Sequence, residues 1–235
     1  MANFNNPFAP TSLADFTISD PQSKQQLESI VTGAMPFPLQ KYTICLWGTY
    51  GTGKTTLAEM LPVLIEQSTN LRPSPRTSRG FVAQQYWHLT ACGVGSNSAK
   101  MMDDLRNRAS SDIDISPGGY FYEILDEVDM LTDNAQASLK SAISNMNGVI
   151  FILTTNHPTK LDKGVRDRSY LIEMNQPELA DMEDMGRRFL RQMGLAGDEV
   201  PSATMQQLAT ASNGSIRDFG DAVAVIGQSY GGVIP

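Results

Sequence analysis

The sequence predicts an α/β protein, a parallel sheet covered by helices on both faces, followed by a small all-helical domain. Three observations carry this. Short apolar runs suited to buried strands alternate with runs of helical spacing, the pattern of strands joined by helical crossovers. A glycine-rich stretch, "GTYGTGKTT" from Gly48 to Thr56, lies between one such strand and one such helix. From Pro177 onward every apolar periodicity is helical and no strand candidate remains.

Taken in order, residues 1–22 are rich in Asn, Pro, Ser and Thr and predict an extended arm; the α/β domain is assigned to 23–175 and the helical domain to 176–235. "SKQQLESIVTGA" places Leu27, Ile30 and Val31 at helical spacing, with Gly33 as a stop. "KYTICLW" reads as a buried strand, and "TTLAEMLPVLIEQ" as a helix that Pro62 should kink or loosen. "FVAQQYWHLT" reads as a strand, "NSAKMMDDLRNRAS" as a helix, "YFYEILDEVD" as a strand and "DNAQASLKSAISNM" as a helix. "GVIFILTTN" and "RSYLIEM" are further strands, and "PELADMEDMGRRFLRQMG", "PSATMQQLATAS" and "SIRDFGDAVAVIGQ" are three closing helices.

Composition narrows the function classes. A chain of 235 residues can bury a sizeable core. Two cysteines without CxxC spacing and two histidines argue against a disulfide framework and a zinc site, and Cys45, inside an apolar run, reads as a buried thiol. No stretch of about 18 apolar residues occurs and the N-terminus lacks a signal-peptide pattern, so no membrane association and a cytoplasmic location are expected. A net charge of −7 and a pI near 4.8 argue against coating nucleic acid with the whole surface. Locally the balance reverses: from Gln67 to Met102 there is no Asp or Glu, while Arg72, Arg76, Arg79 and Lys100 fall inside.

Gly48, Gly53, Lys54 and Thr55 fit G-x-x-x-x-G-K-[ST] with a strand before and a helix after, the context this motif needs. Glycines let the backbone curl so that successive N–H groups face phosphate oxygens, and the helix that follows adds its positive end. Gly48, Thr49, Gly51, Thr52, Gly53, Lys54, Thr55 and Thr56 are thus the candidate nucleotide-binding set, with Lys54 on the β and γ phosphates and the Thr55 hydroxyl on Mg²⁺. The strand "YFYEILDEVD" ends in Asp126 and Glu127, two acids that a neighbouring parallel strand would deliver beside this loop. Asp126 suits the Mg²⁺ shell, and Glu127 suits orienting and deprotonating an attacking water.

With these motifs in this order the chain resembles the AAA+ ATPases, and among them clamp-loader ATPase subunits of the replication factor C and phage type. The resemblance runs from "PTSLADFTIS" through "ILDEVDMLTDNAQASL", "FILTTNHPTKLD" and "GVRDRSYLIEM" to "GSIRDFGDAV". It implies that Asn156 is a polar sensor on the γ-phosphate or the attacking water, although an Asn before His157-Pro158 also suits a turn. Clamp loaders carry a Ser-Arg-Cys motif whose arginine enters the neighbouring subunit's site; Asp167, Arg168 and Ser169 stand there, making Arg168 the implied finger with Arg166 as the alternative. Arg217, in the first turn of a helix capped by Ser215, is the implied lid arginine, its plainer role being a surface pair with Asp221. Thr49 and Tyr50 replace prolines common in the clamp-loader loop, and no helical collar follows the lid, so assembly is expected to rely on ATPase and lid contacts or on a partner.

The resemblance implies an oligomer, a ring, spiral or filament, that binds ATP with Mg²⁺ between subunits and acts on DNA in replication or remodelling, with a sliding clamp or helicase as a possible protein partner. Lys100, Arg106 and Arg108 are the implied phosphate contacts, against which Asp103 and Asp104 weigh in the same helix. A helicase loader, an initiator or a filament-forming transposition regulator is the alternative, and a subunit that binds ATP without hydrolysing it is a third.

Overall fold

The computed structural model describes residues 8–69, 86–93, 100, 101, 103–105 and 118–234. Arg72, Arg76 and Arg79 of the locally positive segment, and Arg106 and Arg108 of the expected second crossover helix, lie outside the described residues. Five parallel strands form one sheet in the order β2-β3-β4-β1-β5: β1 (Thr43–Trp47), β2 (Trp87–Ala91), β3 (Phe121–Asp126), β4 (Val149–Thr155) and β5 (Ser169–Glu173). β4 is buried at every position, as expected of an apolar run placed centrally in a sheet covered on both faces.

Strand alternation divides the core. Cys45, Leu125, Phe151 and Leu153 face one side, where they join Ala135, Leu139, Ala142 and Ile143 of α3 (Asp133–Asn145). Their alternates Ile44, Leu46, Ile124, Ile150 and Ile152 are fully buried, as are Leu57 and Leu61 of α2 (Lys54–Thr69), which packs on β1, β3 and β4. Each such aliphatic side chain contributes roughly 1.5–3 kcal/mol on burial. α1 (Pro21–Val31) buries Leu27 and Ile30, its first turn capped by Asp20, which accepts from Ser23 N at 2.8 Å. A short α4 (Lys163–Asp167), capped by Asp162, leads into β5.

α2 is one helix from Lys54 to Thr69 with Pro62 inside it; the proline forfeits one backbone hydrogen bond, while Leu57, Leu61 and Ile65 of the same helix are buried. One expectation needs correction. The segment before residue 22 is not uniformly extended, because the Asp15 carboxylate accepts from the Ser12 backbone and hydroxyl and closes a 3-10 turn at Leu13–Asp15, and α1 already starts at Pro21.

The contacts divide the chain into two compact units. Asp20–Gly48 with Lys54–Glu173 form the sheet unit; the described part of Met1–Ser19, Thr49–Gly53 and Met174–Pro235 form the other. In the second unit α5 (Leu179–Gln192), α6 (Ser202–Ala211) and α7 (Ile216–Ser229) enclose a core of Met182, Met185, Leu190, Met205, Phe219 and Val223. Gly186 permits the close approach: a Cβ there would lie 2.5 Å from Met205 Sδ.

Candidate active site

In an open parallel sheet, ligands bind beyond the carboxyl ends of the strands. Three predicted segments end there: β1 runs into Gly48, β3 into Asp126-Glu127 and β4 into Asn156. Gly48 N donates to Thr155 O at 3.2 Å, tying the start of the glycine loop to the end of β4. The strands next to β1 are β4 and β5, and β4 separates it from β3, which corrects the expectation that the two acids stand on the neighbouring strand. Asp126 reaches the loop's helix nonetheless, since Thr55 Oγ1 donates to its Oδ1 at 2.9 Å.

Thr154 of β4 braces both acids. Its hydroxyl donates to Asp126 Oδ1 and accepts from Glu127 N at 3.0 Å. Glu127 adopts the left-handed conformation (φ 57°, ψ 48°), uncommon for a residue with a Cβ, and its side chain is exposed to water while Asp126 is half-buried. The two neighbouring acids thus differ in environment: Asp126 is held against the Thr55 and Thr154 hydroxyls, whereas Glu127 is exposed to water.

Sequence reasoning missed a second brace. Asp129 Oδ1 accepts from Thr155 Oγ1 at 2.7 Å and, at 3.4 Å, from Asn156 N; Thr155 Oγ1 in turn accepts from His157 N at 3.0 Å. The turn after β4 is fixed by these bonds, and Asn156 Oδ1 is left buried with no partner among the described residues. An orphaned buried acceptor costs roughly 1–3 kcal/mol, which a bound water or ligand donor removes. The legible signal was the third acid of "DEVD" together with the Thr-Thr pair ahead of Asn156.

Lys54 opens α2 and is buried; burial pushes its ammonium below the usual value, while Asp126, Asp129 and Glu127 pull it back up. Thr56 is exposed beside it. Ahead of Lys54, Gly51 (φ 73°) and Gly53 (φ 86°) take positive φ, the turn that aims loop N–H groups inward. Thr52 Oγ1 closes the loop by donating to Thr49 O at 3.0 Å. In the second unit the loop abuts the start of α7: Ile216 N donates to Gly51 O at 2.9 Å, and Ser215 caps that helix by accepting from Asp218 N at 3.2 Å. Arg217 follows at once, exposed and without an ion pair to Asp221 or any other described residue.

Arg168 is engaged within its own chain, Nε donating to Ser144 Oγ and Nη1 to Gly164 O, both at 2.9 Å. Arg166, two residues earlier, has a buried Nε with no partner among the described residues. Lys100 is exposed on a helical turn with Asp103 and Asp104, also exposed.

A positive-φ glycine loop ahead of a buried lysine, with a hydroxyl and a carboxylate paired behind it, is the equipment of a nucleoside triphosphatase on a parallel sheet. Residues 44–176, more than half of the chain, match the ATPase family associated with various cellular activities (AAA), and the chain belongs to that family. It is accordingly an ATPase, using ATP and Mg²⁺. Comparison with curated proteins finds no match. Among solved structures, the Thermotoga maritima RuvB Holliday junction branch migration motor is similar at a TM-score of 0.66 and 20% identity, over 93% of this chain and 64% of that one. Two point mutants of the same RuvB give TM-scores of 0.67 and 0.68 at 20% identity, over 93% and 92% of this chain and 64% of theirs. The chain therefore spans about two thirds of those proteins, and the likeness is one of fold. Among the described residues no helix is long and apolar enough to cross a membrane.

Proposed function

We propose that the chain is the ATPase part of an oligomeric machine of clamp-loader type that remodels DNA, with ATP bound where subunits meet. The observation that carries the catalytic half is the Thr55–Asp126 hydrogen bond, which gathers a hydroxyl and a carboxylate at one point behind the glycine loop. These two groups hold Mg²⁺, which neutralises phosphate charge when bound. Lys54 meets the phosphates, and the loop N–H groups orient them. Glu127 orients and deprotonates the attacking water, and the side-chain amide of Asn156, a residue whose backbone N donates to Asp129, holds that water in line. Arg217, beside the loop, reads bound nucleotide from the helical unit.

Arg168 is the finger delivered to a neighbouring subunit in this reading. A guanidinium there stabilises charge on the transferred phosphoryl group, by roughly 10³ to 10⁵ in rate where such fingers act. In the free chain it hydrogen-bonds Ser144 and Gly164, so assembly has to exchange those bonds for phosphate contacts. Slow hydrolysis by the free protein follows. Lys100, with Arg106 and Arg108, supplies sequence-independent DNA phosphate contacts.

A DNA motor other than a clamp loader, a helicase loader or initiator among them, is the second reading. The fold likeness to a branch migration motor favours it. Phosphate release measured with and without DNA at low salt tests the shared core of both readings. Hydrolysis should rise with DNA and the rise should fade with salt; a rate indifferent to DNA contradicts it. Electron microscopy then separates the alternatives, a closed assembly of fixed size against a growing filament.

A further inference from the structure

We propose that a basic socket beside β5 receives the acidic start of α5 from a second copy of this chain, giving a head-to-tail contact between subunits. The inference rests on the assembly reading above and names the surfaces that make it.

The socket is a cavity of about 550 Å³ in the sheet unit. Lys41, Lys163 and Arg166 line it with a single acid, Asp167, and Tyr170 and Leu171 give it an apolar side. Leu171 is 38% exposed. Lys41 is fixed by donating to Ser169 O at 2.8 Å and lies 5.5 Å from the centre of the Tyr170 ring. The side chains of Lys163 and Arg166 make no hydrogen bond or ion pair among the described residues, although Arg166 Nε is buried. A half-buried guanidinium with an unspent donor favours a carboxylate, which can take two of its N–H groups at once.

The complementary surface lies on the same protein. Glu178, Asp181 and Asp184 recur at three-residue intervals along the start of α5, so they share one broad face, and their side chains make no ion pair among the described residues. Leu179, 48% exposed, projects from another side of the same turn. Three acids without ion pairs thus match the three cations Lys41, Lys163 and Arg166 of the socket. A lone surface pair would contribute little. Here a buried Arg166 Nε and the exposed Leu171 leaving water make the contact stronger than its charge count, as at interfaces anchored by arginine. Because the two surfaces differ, the contact is heterologous, and repetition yields a ring or an open spiral rather than a closed dimer.

Charge exchange tests this in the full-length chain with Mg²⁺ and a non-hydrolysable ATP analogue, assembly being read by sedimentation velocity. Lys163→Glu/Arg166→Glu should raise the concentration needed for assembly by about tenfold or more, and so should Glu178→Lys/Asp181→Lys. Mixing the two double variants should restore assembly, because each reversed socket then faces a reversed helix and each native socket a native helix. Restoration also proves both variants folded; Lys163→Gln/Arg166→Gln, milder, should weaken assembly less. If the native chain assembles and the reversed variants assemble equally well, or fail to rescue each other while circular dichroism shows them folded, the socket has another occupant and the inference falls. Loss of DNA binding with unchanged assembly would assign the socket to nucleic-acid phosphate and overturn it likewise. If the native chain stays monomeric, the assembly reading itself fails.

Discussion

Thr55 and Asp126 stand 71 positions apart in the chain, yet the Thr55 hydroxyl donates to Asp126 Oδ1 at 2.9 Å. One belongs to the first turn of α2 and the other ends β3, with β4 between their strands in the sheet. Thr154, from that intervening strand, donates to the same carboxylate oxygen. The position of the Asp126 carboxylate is thus set by α2, β3 and β4 together.

This arrangement separates binding from turnover. Glu127 takes no part in the Thr55–Asp126–Thr154 contacts through its side chain, so Glu127→Gln should leave ATP affinity within about twofold and lower kcat by roughly 10²- to 10⁴-fold. Asp126→Ala should instead abolish the Mg²⁺ dependence of binding. A fluorescent ATP analogue and a phosphate-release assay check both, and normal turnover by Glu127→Gln would remove it as the base.

The positions of Lys54, Thr55, Asp126 and Glu127 were legible because each sits at a change of period, where a strand ends or a helix begins. "GVIFILTTN" announced β4 by being apolar throughout, but no local pattern says which strand lies beside β1, since that order is decided by crossover packing among distant segments. The residue types of the second brace stood in the sequence, but the pairing of Asp129 with Thr155 did not, for a related reason. Their bond joins residues 26 apart across two strand ends, and a lone acid after "DEV" reads like any surface carboxylate. Pro62 did not end the helix, because propensity describes an isolated helix, whereas α2 is held by its buried face.

Gly51 has φ 73°, and a Cβ on it would lie 2.5 Å from Ser215 Oγ. Gly51→Ala should therefore strain the loop by about 1–2 kcal/mol from conformation alone and push it off the start of α7. ATP affinity should fall at least tenfold with little change in far-UV circular dichroism. Gly51→Ala combined with Ser215→Gly removes the collision but not the strain, and should recover part of the affinity.

The helical unit carries a pH-sensitive link. Glu183 is held at about 2, chiefly by the hydrogen bond from Arg187 (Nη2 to Oε1, 2.6 Å), with Ser202 and Gln206 adding to it. Its folded-state value lies below the ordinary 4.5, so the stabilisation is complete above pH 4.5 and is lost as pH falls toward 2. Thermal unfolding of native protein should show a decline in Tm through that window. Glu183→Gln, which cannot titrate, should flatten it; an equal slope in the variant would place the acid sensitivity elsewhere.

The central claim is that each ATP site is completed by the next subunit, and mixed assemblies test it most directly. Lys54→Ala disables a subunit's own phosphate loop and Arg168→Ala the site of its neighbour, so each pure variant should be nearly inactive. In a mixture, an intact loop from an Arg168→Ala subunit meets an intact finger from a Lys54→Ala subunit, and hydrolysis should exceed that of both parents at equal total protein. Arg166→Ala in place of Arg168→Ala, compared at equal assembled fraction because Arg166 also lines the socket, serves as the control that assigns the arginine. Activity that never rises above the parents, although mass measurement shows mixed assemblies, would contradict a site shared between subunits.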